Sequence, residues 1–156
     1  MTTASPVPWS AYVDAVVRIE APGRVIWVRP TPVSRTAGEY PEPEGRAICV
    51  ITEHNPGGRL ASDTANAAAH EQLVAELEKR GLTRWPAAGG DASWTHVEES
   101  AAVIGMDEAD AIALGAQFGQ DAIFLLPRAD RRVVGCAEER VMVTGWSIDS
   151  EGSACG

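Results

Sequence analysis

The sequence is short of basic residues, of cysteine and of recognisable reaction motifs, and each shortage narrows what the chain can be. Lysine and arginine number 13 against 22 aspartates and glutamates, a formal net charge of -9. A surface of that sign repels phosphate backbones, so nucleic acid is not an expected partner. It suits plain solubility, or a basic protein partner. The three cysteines, Cys49, Cys136 and Cys155, are odd in number and widely spaced, which does not describe a disulfide framework. No apolar run approaches the ~20 residues of a membrane helix. The first eight residues carry neither a basic region nor an apolar signal core. A cytoplasmic protein without a membrane partner is the expectation. There is no HExxH, CxxC, GxGxxG or Walker loop, so no cofactor can be named.

What is present suits one domain. The 156 residues can bury one sizeable core. Residues 1–8 read as a flexible lead, 9–146 as a single α+β domain and 147–156 as a flexible tail. Trp9, Tyr12, Val13 and Val16 recur at helical spacing. Residues 24–29 read as a strand, and the proline-rich stretch 31–45 as a loop. The β-branched run 46–52 reads as a strand. A helix follows from a Ser62 or Asp63 cap to Arg80, stopped by Gly81. Strands are expected over 82–87, 100–104 and 121–126, with a helix from Asp107 to about Phe118. Residues 131–136 and 140–146 read as a hairpin. The core order is that of a ferredoxin-like split β-α-β-β-α-β fold, with an extra N-terminal helix and strand and a C-terminal hairpin.

In that topology three connections share one edge of the sheet. They carry Glu53, His54, Asn55, Trp94, His96, Glu98, Glu99 and Gln120. Loops at one end of a rigid scaffold commonly carry binding groups. Asn66 and His70 fall on the helix face marked by Leu73 and Leu77, so they are expected to point towards the body. Each feature has a plainer reading. Asn66 can brace the Asn55-Pro56-Gly57-Gly58 turn, since most buried polar side chains are structural. Arg59 beside that turn can favour an anion, but a simple turn explains it as well. His54, His70 and His96, with Glu98 or Glu99, could supply metal ligands, yet the spacing matches no established metal motif. They are read first as surface or bracing groups, with no metal assigned. Glu98 and Glu99 are adjacent at a strand start and must face opposite ways. Either can serve as acid or base, or accept backbone N–H bonds from a turn. Trp94 can stack on a ligand or plug the end of the core. Gly115 lies among Ala111, Leu114 and Phe118, a position for close helix–sheet packing.

Three blocks of sequence carry a family likeness. They are residues 50–58 with Asn66, residues 94–100 with Gly105, and residues 114–122. With Trp9 and Tyr12 they resemble the bacterial domain-of-unknown-function family 3293 (DUF3293), in an actinobacterial version that ends in Val143-Thr144-Gly145-Trp146. The likeness spans roughly residues 9–146. It implies motif positions at Asn55, Pro56, Asn66, Glu98 or Glu99, Ser100 and Gln120. Many members carry an aromatic residue where His54 stands and Asn where Asp121 stands. His70 matches no motif position.

The functional expectation is a cytoplasmic protein that binds a small polar metabolite or nucleotide-like ligand at one sheet edge. Asn55, Asn66, Gln120 and Arg59 would hold the ligand and Trp94 would stack on it. Glu98 or Glu99, helped by His96, would supply any acid–base chemistry. The alternative is a non-enzymatic acidic module that engages or inhibits a basic protein.

Overall fold

The computed structural model describes residues 9–52 and 61–151. A short helix α1 (Trp9–Asp14) precedes strands β1 (Val16–Ala21), β2 (Arg24–Thr31), β3 (Thr36–Ala37) and β4 (Ile48–Thr52). Then come helix α2 (Asp63–Lys79), strands β5 (Arg84–Gly90) and β6 (Val97–Ile104), and helix α3 (Glu108–Gln117). Strands β7 (Ala122–Leu126), β8 (Arg131–Gly135) and β9 (Val141–Glu151) complete the chain.

The strands pair in the order β2-β1-β5-β6-β4-β7-β8-β9, and β9 pairs back onto β2. Every pairing in that ring is antiparallel. The result is a closed eight-stranded antiparallel barrel, with β3 added in parallel to the edge of β9. This overturns the expected ferredoxin-like split core, which would leave an open sheet. The closure comes from two segments read otherwise in the sequence. The helix stops at Asp14, and Val16 opens β1 rather than extending α1. Residues 147–151, expected in a flexible tail, are strand and pair with β2 from Val25↔Glu151 to Arg29↔Ser147. Alternation explains why they do so: Trp146 and Ile148 are buried, while Asp149 between Ile148 and Ser150 faces out.

Closure divides every strand into an inside and an outside. Val17, Ile19, Ile26, Val28, Ile48, Val50, Ala102, Ile104, Trp146 and Ile148 fill the interior. Cys49, Ile51, Ala101, Val103, Ile123 and Leu125 face outwards on one wall, where α2 and α3 cover them with Leu73, Leu77, Ala111 and Leu114. Ser62 caps α2 by accepting from the Ala65 N–H at 3.1 Å. Gly81 ends it at φ +70°, a left-handed geometry that glycine adopts without steric cost. Gly115 brings α3 close to that wall: a Cβ there would meet Cys136 Sγ at 2.6 Å and Ile123 Cγ2 at 2.7 Å.

Each end of the barrel is plugged. At the lower end Tyr40 reaches the interior and its hydroxyl lies 2.6 Å from the Leu126 carbonyl and 2.8 Å from that of Arg46. Glu42 is buried beside it and accepts from the Arg46 backbone N–H, Nε and Nη2. At the upper end α1 lies across the opening, with Trp9 against Ala122 and Val133. Trp9 Nε1 donates to Glu138 at 3.0 Å, and Arg140 stacks on its ring at 4.8 Å. Beneath α1 sits Arg131, the largest fully buried side chain among the described residues. Its Nη2 donates to the carbonyls of Tyr12 at 3.0 Å and Ala15 at 2.9 Å, and its guanidinium lies 5.2 Å from the Phe124 ring centre. Burial pushes its pKa down to about 10, so it stays charged at neutral pH.

Two expected outcomes follow from the plugs. Arg131→Met should free α1 while costing the barrel little. The Ala15 carbonyl loses its Arg131 donor, at ~1–3 kcal/mol, while the Tyr12 carbonyl keeps the Ala15 N–H, and the loss is offset by relief of a desolvated charge. The Trp9 indole proton should then exchange with solvent about tenfold faster as α1 opens locally; an unchanged rate would mean Arg131 does not anchor the helix. At Glu42, burial acts to raise the carboxyl pKa, but hydrogen bonds from Arg46 and Glu44 overrule it and hold the value below the ordinary range. A depressed carboxyl stabilises the fold above its unfolded pKa, and that contribution is lost as pH falls through the folded value. Urea midpoints of wild type and Glu42→Gln should therefore differ at pH 7 and converge in acid; a gap constant down to pH 3 would contradict the pairing.

Candidate functional site at the barrel mouth

Below α1 the upper end of the barrel opens into a cavity of about 250 Å³. Its position follows from strand direction. Because β6 lies between β4 and β5 and is antiparallel to both, those two strands run the same way. Thr52 at the end of β4, Gly90 at the end of β5, Val97 at the start of β6 and Ala122 at the start of β7 thus share the upper rim. The cavity is lined from these ends by Thr52, Gly89, Gly90, Asp91, His96, Glu98, Ser100, Ala122 and Phe124. Val50 lies deeper, and Ala11, Tyr12 and Ala15 are contributed by α1 and the residue after it.

Register sets which carboxylate enters. Glu98 is opposite Gly89, and Gly89 is opposite the inward-facing Val17, so Glu98 points into the barrel. Glu99 is opposite Ala88 and points out. It lines an outer groove with His70, Arg18, Glu20 and Arg84.

The loop that carries His96 is built on Asp91. Its carboxylate accepts from the backbone N–H of Thr95 at 2.7 Å and His96 at 3.0 Å, and from Ser93 Oγ at 2.9 Å. These bonds, the His96 N–H foremost, hold the Asp91 carboxyl below its usual pKa. Trp94 in the same loop adopts φ +57°, uncommon for a bulky residue. Its ring packs on the outer face, 4.7 Å from the Trp27 ring and against Gly90, where a Cβ would meet Trp94 Cε3 at 3.0 Å. Trp94 therefore anchors the loop from outside and does not line the cavity.

Tyr12 is one of the cavity's hydrogen-bond donors. Burial, then the charges of Asp121 and Glu98, push its phenol up to about 12, so it is neutral at physiological pH. Among the described residues its carbonyl is bonded, to Arg131 and to the Ala15 N–H, while its hydroxyl makes no hydrogen bond. The Tyr12 ring meets Phe124 edge-on at 6.2 Å. Two carboxylates, an imidazole, three hydroxyls and an aromatic floor thus surround one space. Such a set can orient a small ligand and exchange a proton with it.

Of the residues singled out in the sequence, His96, Glu98 and Ser100 come together here. Glu99 and His70 do not. Asn66 is half-buried on α2, on the side of Leu73 and Leu77 that packs against the outer wall. Gln120 is buried at the upper rim just before β7, outside the set of lining residues. His54, Asn55, Arg59 and Cys155 lie outside the described residues. His70 and His96 stand on opposite sides of the wall, and no group of three or more His, Cys, Asp or Glu among the described residues is arranged to hold a metal ion. Sequence reasoning missed Tyr12, Thr52, Asp91 and Phe124 as lining groups. The readable signal was parity: Val50 and Thr52, like Ala122 and Phe124, are two apart and so share a face.

Asp91→Asn should remove the charge that collects three donors. Its expected effect is a local loosening of residues 91–96, seen as faster amide exchange at Thr95 and His96 with α2 unaffected; uniform exchange in both proteins would contradict that role.

No helix among the described residues is long and apolar enough to cross a membrane. No match to the chain was found among curated proteins or among solved structures. Residues 51–123, which include the end of β4, α2, β5, β6, α3 and the start of β7, match the family described as "Protein of unknown function (DUF3293)", and over that stretch the chain resembles that family.

Proposed function

We propose that this chain binds a small polar molecule in the mouth of its barrel. The observation that carries the reading is the cavity of about 250 Å³ with Tyr12, His96, Glu98 and Ser100 on its walls. Ligand pockets typically measure ~300–1,000 Å³. This one, at about 250 Å³, lies just below that range, which favours a compact metabolite over a whole nucleotide. Phe124 and Val50 supply apolar contact, while Glu98 and the Tyr12 hydroxyl fix orientation. Glu98 and His96 also give the site acid–base capacity, so turnover of the ligand falls within the same reading. The Trp94 ring and Gln120 support the loop and rim in this account and do not touch the ligand.

The test is a thermal-shift screen of small metabolites against the purified chain and an Ala122→Phe variant that fills the mouth. A ligand present at about 100 times its Kd adds ~2.7 kcal/mol, or roughly 5–10 °C in Tm for a chain of this size. The expected result is such a shift in wild type and none in the filled variant. A screen with no stabilising compound, or one whose hits stabilise both proteins equally, would remove the support for a mouth ligand.

A further inference from the structure

We propose that a second ligand site lies at the lower end of the barrel and takes a small monocarboxylate, held by the Arg128 guanidinium and the Trp146 indole N–H. It stands apart from the mouth and does not depend on a ligand there. A cavity of about 410 Å³ lies outside the lower plug, with Thr36, Gly38, Tyr40, Glu42, Arg128 and Trp146 on its walls. That volume falls within the usual ~300–1,000 Å³ of ligand pockets. Two glycines let the segment around β3 lie close on β9. A Cβ at Gly38 would overlap the Ile148 carbonyl oxygen, and one at Gly145 would overlap that of Arg35. The Trp146 backbone N–H donates to the Arg35 carbonyl at 3.0 Å, which fixes the strand beside the cavity.

Both proposed donors are unspent. Trp146 is buried, and among the described residues its Nε1 is a buried side-chain atom with no hydrogen-bond partner. An unmade hydrogen bond in the interior is a standing cost, and an indole N–H can only donate. Among the described residues the exposed Arg128 side chain makes no ion pair or hydrogen bond. Its Nη1 lies beside Gly45, 3.3 Å from where a Cβ would stand. The two carboxylates of the lining are matched from outside it: Glu42 accepts from Arg46 at three nitrogens, and Glu39 lies 3.9 Å from Arg24. The Arg128 charge is the unbalanced one on the walls. A guanidinium fork and an indole both call for acceptor oxygens, and a carboxylate brings no donor to leave unpaired. A dianionic phosphate would carry a second negative charge past Glu39 and Glu42. Nε1 is covered in this structure, so the carboxylate reaches it as the segment carrying Thr36 and Gly38 eases from β9, where β3 holds by two residue pairs.

The probes are lactate, its neutral isostere lactamide and inorganic phosphate. Each is titrated into the isotope-labelled full chain at physiological ionic strength, where the net charge of -9 is screened beyond ~8 Å. Lactate should bind about tenfold tighter than lactamide, the difference between a charged and a neutral hydrogen bond. It should also move the Trp146 indole proton resonance saturably. Arg128→Gln, at an exposed position, should erase the tenfold preference, and Ala122→Phe, which fills the mouth, should leave it intact. The proposal is overturned if no probe binds, or if lactamide or phosphate binds as tightly as lactate. It is equally overturned if the Trp146 indole signal stays still at saturation or if Arg128→Gln keeps the preference. Loss of lactate binding in Ala122→Phe would overturn it too and assign that ligand to the mouth.

Discussion

The structure depends on the seam between β2 and β9. Seven residue pairs, from Val25↔Glu151 to Thr31↔Gly145, join strands far apart in the chain. Without that seam the sheet would have two open edges and no interior. With it, side-chain alternation along every strand becomes a choice between a closed core and an outer wall. The outer side of the seam is held by charge and aromatic contacts: Trp27 Nε1 donates to Glu151 at 3.0 Å, and Arg29 pairs with Asp149 at 3.4 Å. These pairs are exposed and individually weak. Specificity comes instead from Ile26, Val28, Trp146 and Ile148, which pack inside on either side of the seam.

Closure also creates the two ends. The lower one is sealed by Tyr40 and Glu42 from the segment before β4, the upper one by α1. The seals differ in kind. The lower plug ties its polar groups to nearby backbone, with Glu42 and Arg46 in one short turn. The upper plug depends on a long reach from Arg131 and on Trp9, and leaves a space between helix and barrel. A charged side chain buried under a six-residue helix is an expensive anchor. Its effect is to keep Tyr12 over the mouth, where the phenol is, among the described residues, a donor not consumed by the fold.

Much of the local structure was legible. Ser62 and Gly81 mark the ends of α2 through capping chemistry, Asp107 stands at the start of α3 without a side-chain capping bond, and the runs 46–52 and 121–126 are strands because their β-branched and apolar residues suit buried pleats. The convergence of Glu98 and His96 on one rim followed from chain direction alone, and the opposite facing of Glu98 and Glu99 from the period of two. The global architecture was not legible. Val16 fits a helical spacing from Trp9 as well as it fits a strand, and only pairing with Gly90 decides between them. Asp149 and Ser150 look like tail residues until Trp27 and Ile26 are set beside them. Long-range pairing is a tertiary property that local propensity does not encode. The same limit hid Tyr12, whose importance comes from an arginine 119 residues away.

The central claim is therefore that the barrel is closed and that its mouth exists because of that closure. Inter-strand nuclear Overhauser effects between residues 26–30 of β2 and 146–150 of β9 test it most directly. The account predicts a continuous ladder of contacts in the Val28↔Ile148 register, with amides on both strands as protected as those between β4 and β6. A sheet open at β2 and β9, with no cross-seam contacts and rapid amide exchange along both strands, would contradict it.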